Sequence, residues 1–222
     1  DLNATAQRVM AVLRPVKLVL TNYPEGKSET LTVENNPLDE AAGTREVTFS
    51  RELWVEADDF LKEPVPKYKR LYPGGPECRL KGAYLIKCVG FETDADGNVT
   101  QINAEYDPES RGGDPADGRK VKGATIHWVD AATAVDAEVR LYDDLFTDAD
   151  PDGPDKDFLD CLNPDSLMVL KGCKVEASLA GAEAPASFQF MRLGYFCLDN
   201  KDSKPGALVF NRSVSLKESF KK

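Results

Sequence analysis

Few side chains in this 222-residue sequence are suited to making or breaking bonds. Histidine occurs once, at His127 between Ile126 and Trp128, so a His-rich metal site is excluded and a His-dependent triad could be built only around that residue. No nucleophile with a matching base accompanies it, and a hydrogen-bonded structural histidine is expected. Cys78, Cys88, Cys161, Cys173 and Cys197 are odd in number and contain no C-x-x-C spacing. They are too few for a disulfide scaffold of this size and are expected to be reduced, mostly buried thiols of a cytosolic protein. Asp148-Ala-Asp-Pro-Asp-Gly153 places carboxylates at the first, third and fifth positions of a calcium loop and glycine at the sixth. Leu159 stands where the closing bidentate carboxylate belongs, and Pro151 and Pro154 stiffen the loop, so a solvated acidic loop is expected. Gly113-Asp-Pro-Ala-Asp-Gly118 is followed by Arg119-Lys120 but lacks the Gly-Lys-Ser/Thr that cradles phosphate.

Cations are the remaining chemistry, and they are unevenly spread. The chain carries 28 Lys and Arg against 38 Asp and Glu, a formal charge of −10, which disfavours a protein coated in basic surface. Lys67-Tyr-Lys-Arg70, Arg79, Lys81 and Arg119-Lys-Val-Lys122 nevertheless cluster in the middle of the chain. Residues 143–160 carry eight acids against the single base Lys156. The local field decides what such a surface attracts.

The elements that must position these residues are strands. Apolar and polar residues alternate in 29–34, 45–50, 52–55, 78–87, 99–106, 124–129 and 137–142, the period of a half-buried strand, and an extended β-branched stretch runs through 12–20. Turn clusters separate them at Tyr72-Pro-Gly-Gly-Pro76, Asp94-Ala-Asp-Gly-Asn98, Gly112-Gly-Asp-Pro115, Pro151-Asp-Gly-Pro154 and Lys204-Pro-Gly206. Short helical turns are expected at 58–62, near 130–134 and after Asn163-Pro-Asp-Ser166. The pattern predicts an all-β fold of two β-barrels in tandem with few short helices, and the proline-rich Glu63-Pro-Val-Pro66 reads as the crossing between them. No apolar run approaches the roughly 18 residues of a membrane span and no signal segment opens the chain, so a membrane protein is excluded and secretion disfavoured. The opening on Asp1, without an initiator Met, is expected of a segment that begins at a domain boundary.

A run of motifs then makes the sequence specific. Arg8-Val-Met-Ala-Val12, Pro15-Val-Lys-Leu-Val19, Gly43-Thr-Arg-Glu-Val47 with Phe49-Ser50, Tyr68-Lys-Arg-Leu71, Val121-Lys-Gly123 with Ile126-His-Trp-Val129, Arg140-Leu-Tyr-Asp143, Asn163-Pro-Asp-Ser166, Phe188-Gln-Phe190 with Gly194-Tyr-Phe196, and Val209-Phe-Asn-Arg212 occur in order. Each is weak alone; together they resemble the C-terminal, anticodon-binding region of the glutaminyl-tRNA synthetase family over essentially the whole chain. The resemblance implies two barrels with exchanged strands: a proximal one from 1–66 with about 126–147 and 206–222, and a distal one from 67–125 with about 148–205. It implies tRNA(Gln) and the catalytic domain of the same polypeptide as partners, a cytoplasmic monomer, and no DNA or membrane. ATP and Mg belong to the parent ligase, whose His-Ile-Gly-His-like and Lys-Met-Ser-Lys-Ser-like signatures are absent here, so the fragment has no cofactor or catalytic residue of its own.

Residue by residue, the resemblance places Arg70 where the family reads the third anticodon base, a guanine whose two adjacent acceptors suit a guanidinium fork. Gln189 stands where an amide donates to and accepts from the middle uracil, with Arg8 reaching the same base. Arg79 and Lys81, two apart and expected on one strand face, lie near the first base and its phosphate, and Lys69 and Arg192 complete a cationic lining. Three positions depart from the pattern: Lys67 replaces a glutamine, Lys81 an arginine and Met191 a glutamate. All three are included in the candidate site, made more positive by the change and altered in its tolerance at the first base. The nearest alternative is the related glutamyl-tRNA synthetase module, which the Gln189 and Arg70 pairing disfavours. A different class is an acidic β-barrel that binds protein or carbohydrate and not RNA. The acidic stretch 143–160 is expected to face away from the RNA.

Overall fold

The computed structural model describes residues 1–153 and 155–216. Pro154, part of one expected turn, and residues 217–222, the end of the expected proximal barrel, lie outside the described residues. The chain is mostly strand, in two seven-stranded mixed, barrel-like sheets, with a separate hairpin of Ser28–Glu34 and Thr44–Ser50. Among the described residues only Leu2–Thr5 is α-helical, for four residues, and the other helical pieces are 3-10 segments such as Ala57–Asp59 and Ala177–Gly181. The all-β, interleaved architecture therefore matches the sequence pattern.

The first sheet runs in the order Thr125–Ile126, Cys78–Leu80, Leu85–Thr93, Val99–Tyr106, Pro15–Leu20, Glu52–Glu56, Val129–Asp130. Its core centres on Tyr23, Phe49 and Trp128, with Phe49 edge-on to both other rings at 5.4 and 5.2 Å. The second sheet runs Gln7–Val9, Ser187–Phe190, Gly194–Leu198, Leu208–Ser215, Val135–Tyr142, Leu167–Val175, Ala11–Val12. Its core holds Phe190 stacked on Phe196 at 4.3 Å and edge-on to Phe210 at 5.1 Å.

These sheets correct the expected division of the chain. Strands 78–106 pair with 15–20, and 135–142 pairs with both 167–175 and 208–215, so the boundary near residue 66 does not separate the sheets. Phe60 bridges Leu71 on the same body, and Leu61 N–H and Leu71 N–H donate across that bridge, which closes the proline excursion 63–66 into a loop. The chain passes between the sheets at Leu13–Arg14 and at the turn 131–134.

Local details differ in two more places. The expected strand 78–87 is a tight hairpin, because Gly82 adopts φ +68 and Ala83 N–H returns to Leu80 O. The expected strand 124–129 is interrupted at His127 and Trp128. All five cysteines are free, with Cys78, Cys88 and Cys173 buried, and burial pushes those thiols up to about 12, 11 and 12.

Candidate nucleic-acid interface

Strand Gln7–Val9 pairs in parallel with Ser187–Phe190 and sets Arg8 opposite Gln189, while Gly194–Leu198 sets Tyr195 opposite Gln189 on its other side. Three polar side chains thus form one row across the sheet. Gln189, 8% exposed, donates from Nε2 to Tyr195 Oη at 3.2 Å, and that hydroxyl donates to Asn3 Oδ1 at 3.1 Å. Arg8 Nη2 donates to the same Asn3 oxygen at 3.4 Å, whereas its buried Nε has no partner among the described residues. The row therefore fixes an amide and leaves guanidinium donor capacity unmet.

Beside this row is a cleft of about 330 Å³ bordered by Arg8, Met10, Arg45, Lys81, Gly82 and Met191. Met191 N–H donates to Val9 O at 3.0 Å, which ties the turn after Phe190 to the strand that carries Arg8. Arg45 does not stand free here: its guanidinium makes a two-pronged pair with the buried Glu176 at 2.6 and 2.9 Å. Lys81 reaches this cleft from the Gly82 turn and not from a strand, so it does not share a strand face with Arg79 as expected. Arg79 is committed elsewhere, donating from Nε to Gly113 O at 2.7 Å and pairing with Asp114 at 3.3 Å.

A second group forms where the two sheets meet. Asp59 ends the single 3-10 turn Ala57–Asp59 and is 1% exposed. Arg192, from the turn that joins two strands of the other sheet, binds its carboxylate in a two-pronged pair with both contacts at 2.7 Å. Arg70 Nη1 lies 3.3 Å from Asp59 Oδ1 and donates to Asp58 O at 3.3 Å. Two cations share one carboxylate, and the Asp59 hydrogen bonds raise the Arg192 guanidinium further above its ordinary range. Behind Arg192, Nη1 meets His127 Nδ1 at 3.3 Å, and His127 Nε2 faces Glu56 Oε1 at 3.4 Å. An arginine nitrogen only donates, so Nδ1 accepts and the ring proton sits on Nε2. His127 is thus structural, 1% exposed and within this network.

Lys67 and Lys69 are exposed on the segment leading to Arg70. Lys69 O accepts from Ala124 N–H at 2.7 Å, and Ala124 O accepts from Arg79 N–H at 3.0 Å, so the Lys67–Arg70 segment and the Arg79 strand are locked together. Lys67 and Arg192 are the non-glycine residues with left-handed backbone among those described, at φ +66 and +69. Burial pushes the Tyr68 phenol between them in sequence up to about 12, so it stays a neutral ring at physiological pH. Arg119, from the other basic run, is held by Glu77, Asp107 and Asp117 at 2.7, 2.6 and 2.9 Å and is neutralised there.

Of the nine sequence-predicted residues, Arg8, Lys81 and Met191 border the cleft, Gln189 lies beside it opposite Arg8, and Arg70 and Arg192 gather around Asp59, while Lys67, Lys69 and Arg79 lie on the neighbouring segments. Sequence reasoning missed Asp59, Tyr195 and Asn3. Asp59 sits in Asp58-Asp-Phe-Leu, where an acidic residue also fits the start of a helical turn, and nothing local marks it as buried. What the arrangement can do chemically is offer planar donors and an amide edge beside stacking surfaces, with no nucleophile. Among the described residues no three His, Cys, Asp or Glu side chains gather to hold a metal ion.

Residues 6–107 and 125–199 match two family models, both described as tRNA synthetases class I (E and Q), anti-codon binding domain. Glutamine–tRNA ligase of Clostridium kluyveri is 53% identical over 222 residues, that of Vibrio campbellii 54% over 222 and that of Aliivibrio fischeri 55% over 220. These alignments cover 99–100% of this chain and 39% of each relative, so the chain spans about two fifths of their length.

Proposed function

Since the chain belongs to the anticodon-binding domain family of the class I tRNA synthetases (E and Q), we propose that it reads the anticodon of tRNA(Gln) on behalf of a glutamine–tRNA ligase. The observation that carries this reading is the register of Arg8 opposite Gln189, three residues before Arg192, which shares Asp59 with Arg70. An anticodon presents three single-stranded bases whose edges can be read once they are unstacked. The Gln189 amide both donates and accepts, which fits the edge of a middle uracil, with Arg8 at the same base. Arg70 supplies the fork for a third-position guanine. Lys81, Met191 and Lys67 border the first base, Arg79 and Lys69 its phosphates, and Arg192 adds positive field.

In the whole ligase the partners are tRNA(Gln) and the catalytic part of the same polypeptide, acting in the cytoplasm as a monomer, with ATP and Mg used outside this segment. Titration of the intact protein with tRNA(Gln) and with a copy whose middle anticodon uracil is changed to cytosine, at one fixed salt concentration, tests the reading. We expect at least tenfold weaker binding of the altered tRNA, the scale of one lost base-edge contact pair. Equal binding of the two would overturn it.

A further inference from the structure

We infer that Asp59 is a positioning residue for the anticodon site: its buried carboxylate fixes the Arg192 and Arg70 guanidiniums before RNA arrives. The inference rests on the reading proposed above. Among the described residues Asp59 is the one carboxylate that joins two candidate site residues, gripping Arg192 with both oxygens and Arg70 with one. Its placement is itself fixed, since Asp59 O accepts Leu71 N–H at 3.0 Å immediately beside Arg70. Arg192 has a left-handed backbone, which disfavours a residue bearing a side chain, and the two-pronged pair offsets that strain.

The charge count separates positioning from plain cross-linking. Directly on Asp59 one carboxylate faces two guanidiniums, with Glu56 set back behind His127, and the side chains of Arg192 and Arg70 are 31% and 39% exposed while Asp59 is 1% exposed. The anion is inside and the cationic edges reach solvent. His127 Nδ1 accepts from Arg192 Nη1, the nitrogen that also donates to Asp59 Oδ2, which adds a third contact to hold that plane. A guanidinium held in one plane loses less freedom on meeting two base acceptors than a freely rotating one.

The test measures, in the intact protein, affinity for tRNA(Gln), for a third-base variant with guanine changed to adenine, and for the middle-base variant. For Asp59→Asn we expect third-base discrimination to fall about tenfold and middle-base discrimination to stay within about twofold. A buried cation left unpaired can also unfold the protein. The double variant Asp59→Asn with Arg192→Gln removes both charges of the tightest pair, and it should lose third-base discrimination to the same extent. If the wild type discriminates at both bases but either folded variant keeps its third-base ratio, or if both ratios fall together, Asp59 is structural only and the inference fails while the anticodon reading stands. A wild type that discriminates at neither base overturns that reading, and the inference with it.

Discussion

Asp199 sits in the turn after strand Gly194–Leu198 and collects donors from three directions: Asp202 N–H at 2.8 Å, Asn211 Nδ2 at 2.7 Å and Lys201 N–H at 2.8 Å. These bonds, led by the Asp202 amide and joined by the Arg140 charge, hold its carboxyl down at about 2 against an ordinary aspartate value of about 3.9. A folded value below the unfolded one means stability that is fully present above about pH 4 and lost as pH falls toward 2. We expect carbon-detected NMR to give a midpoint near 2 for this carboxyl, and Asp199→Asn to lower the urea midpoint at pH 6 by more than twice as much as at pH 2.5. A titration midpoint near 4, or curves that stay equally far apart at both pH values, would refute the account. Gln189 follows the same logic without a charge: Tyr195 occupies its amide hydrogen, so its orientation is set by a neighbour six residues on. The family motif marked Gln189 as a candidate, but its orienting partner emerged only from the strand register.

At the level of elements, the position of the basic segment depends on one close approach. A Cβ built on Gly123 would lie 2.1 Å from Glu77 O, a backbone atom that also accepts the Gly123 N–H at 3.1 Å. Only glycine lets strand Cys78–Leu80 and the segment 123–126 run this close, and through Ala124 that contact locks Lys69 to Arg79. Gly123→Ala is expected to cost about 3 kcal/mol, with earlier hydrogen exchange at the Ala124 and Arg79 amides. Unchanged protection there would show that the neighbouring backbone yields freely. Strands with strict alternation, such as Val99–Tyr106 and Thr44–Ser50, were legible because one face meets the core and the other water. Leu167–Val175 was not, since Leu167, Met168 and Val169 are consecutive apolar residues that stand 46%, 41% and 43% exposed and carry no period of two. The hairpin within 78–87 hinged on Gly82 alone, whose left-handed φ has no signature in an otherwise alternating run.

For the whole molecule, the two sheets are joined by buried carboxylates that reach the crossing segment from opposite sides. Glu176 accepts Met10 N–H at 3.0 Å and binds Arg45 of the hairpin, while Glu56 accepts Leu13 N–H at 2.7 Å and Arg14 N–H at 3.0 Å. Through His127 and Arg192 the Glu56 side continues to Asp59 and Arg70, so the junction of the sheets and the candidate reading residues form one polar network. The proline-rich segment 63–66 does not mark this junction, because prolines report where a chain bends and not which body it rejoins. A formal charge of −10 would oppose RNA were it evenly spread, yet the hydrogen bonds of residues 143–160 stay within 143–166 among the described residues, while the site cations lie on other segments. Screening over about 8 Å at physiological salt lets such regions act separately. With about four phosphates of single strand neutralised, the logarithm of affinity for tRNA should fall with the logarithm of salt at a slope near −3. Replacing Asp150, Asp152 and Asp155 by Asn should leave that slope intact and change affinity less than about twofold at 150 mM salt. A tenfold gain from those three changes would mean that the acidic stretch lies against the RNA, and the assignment of the reading face would have to move.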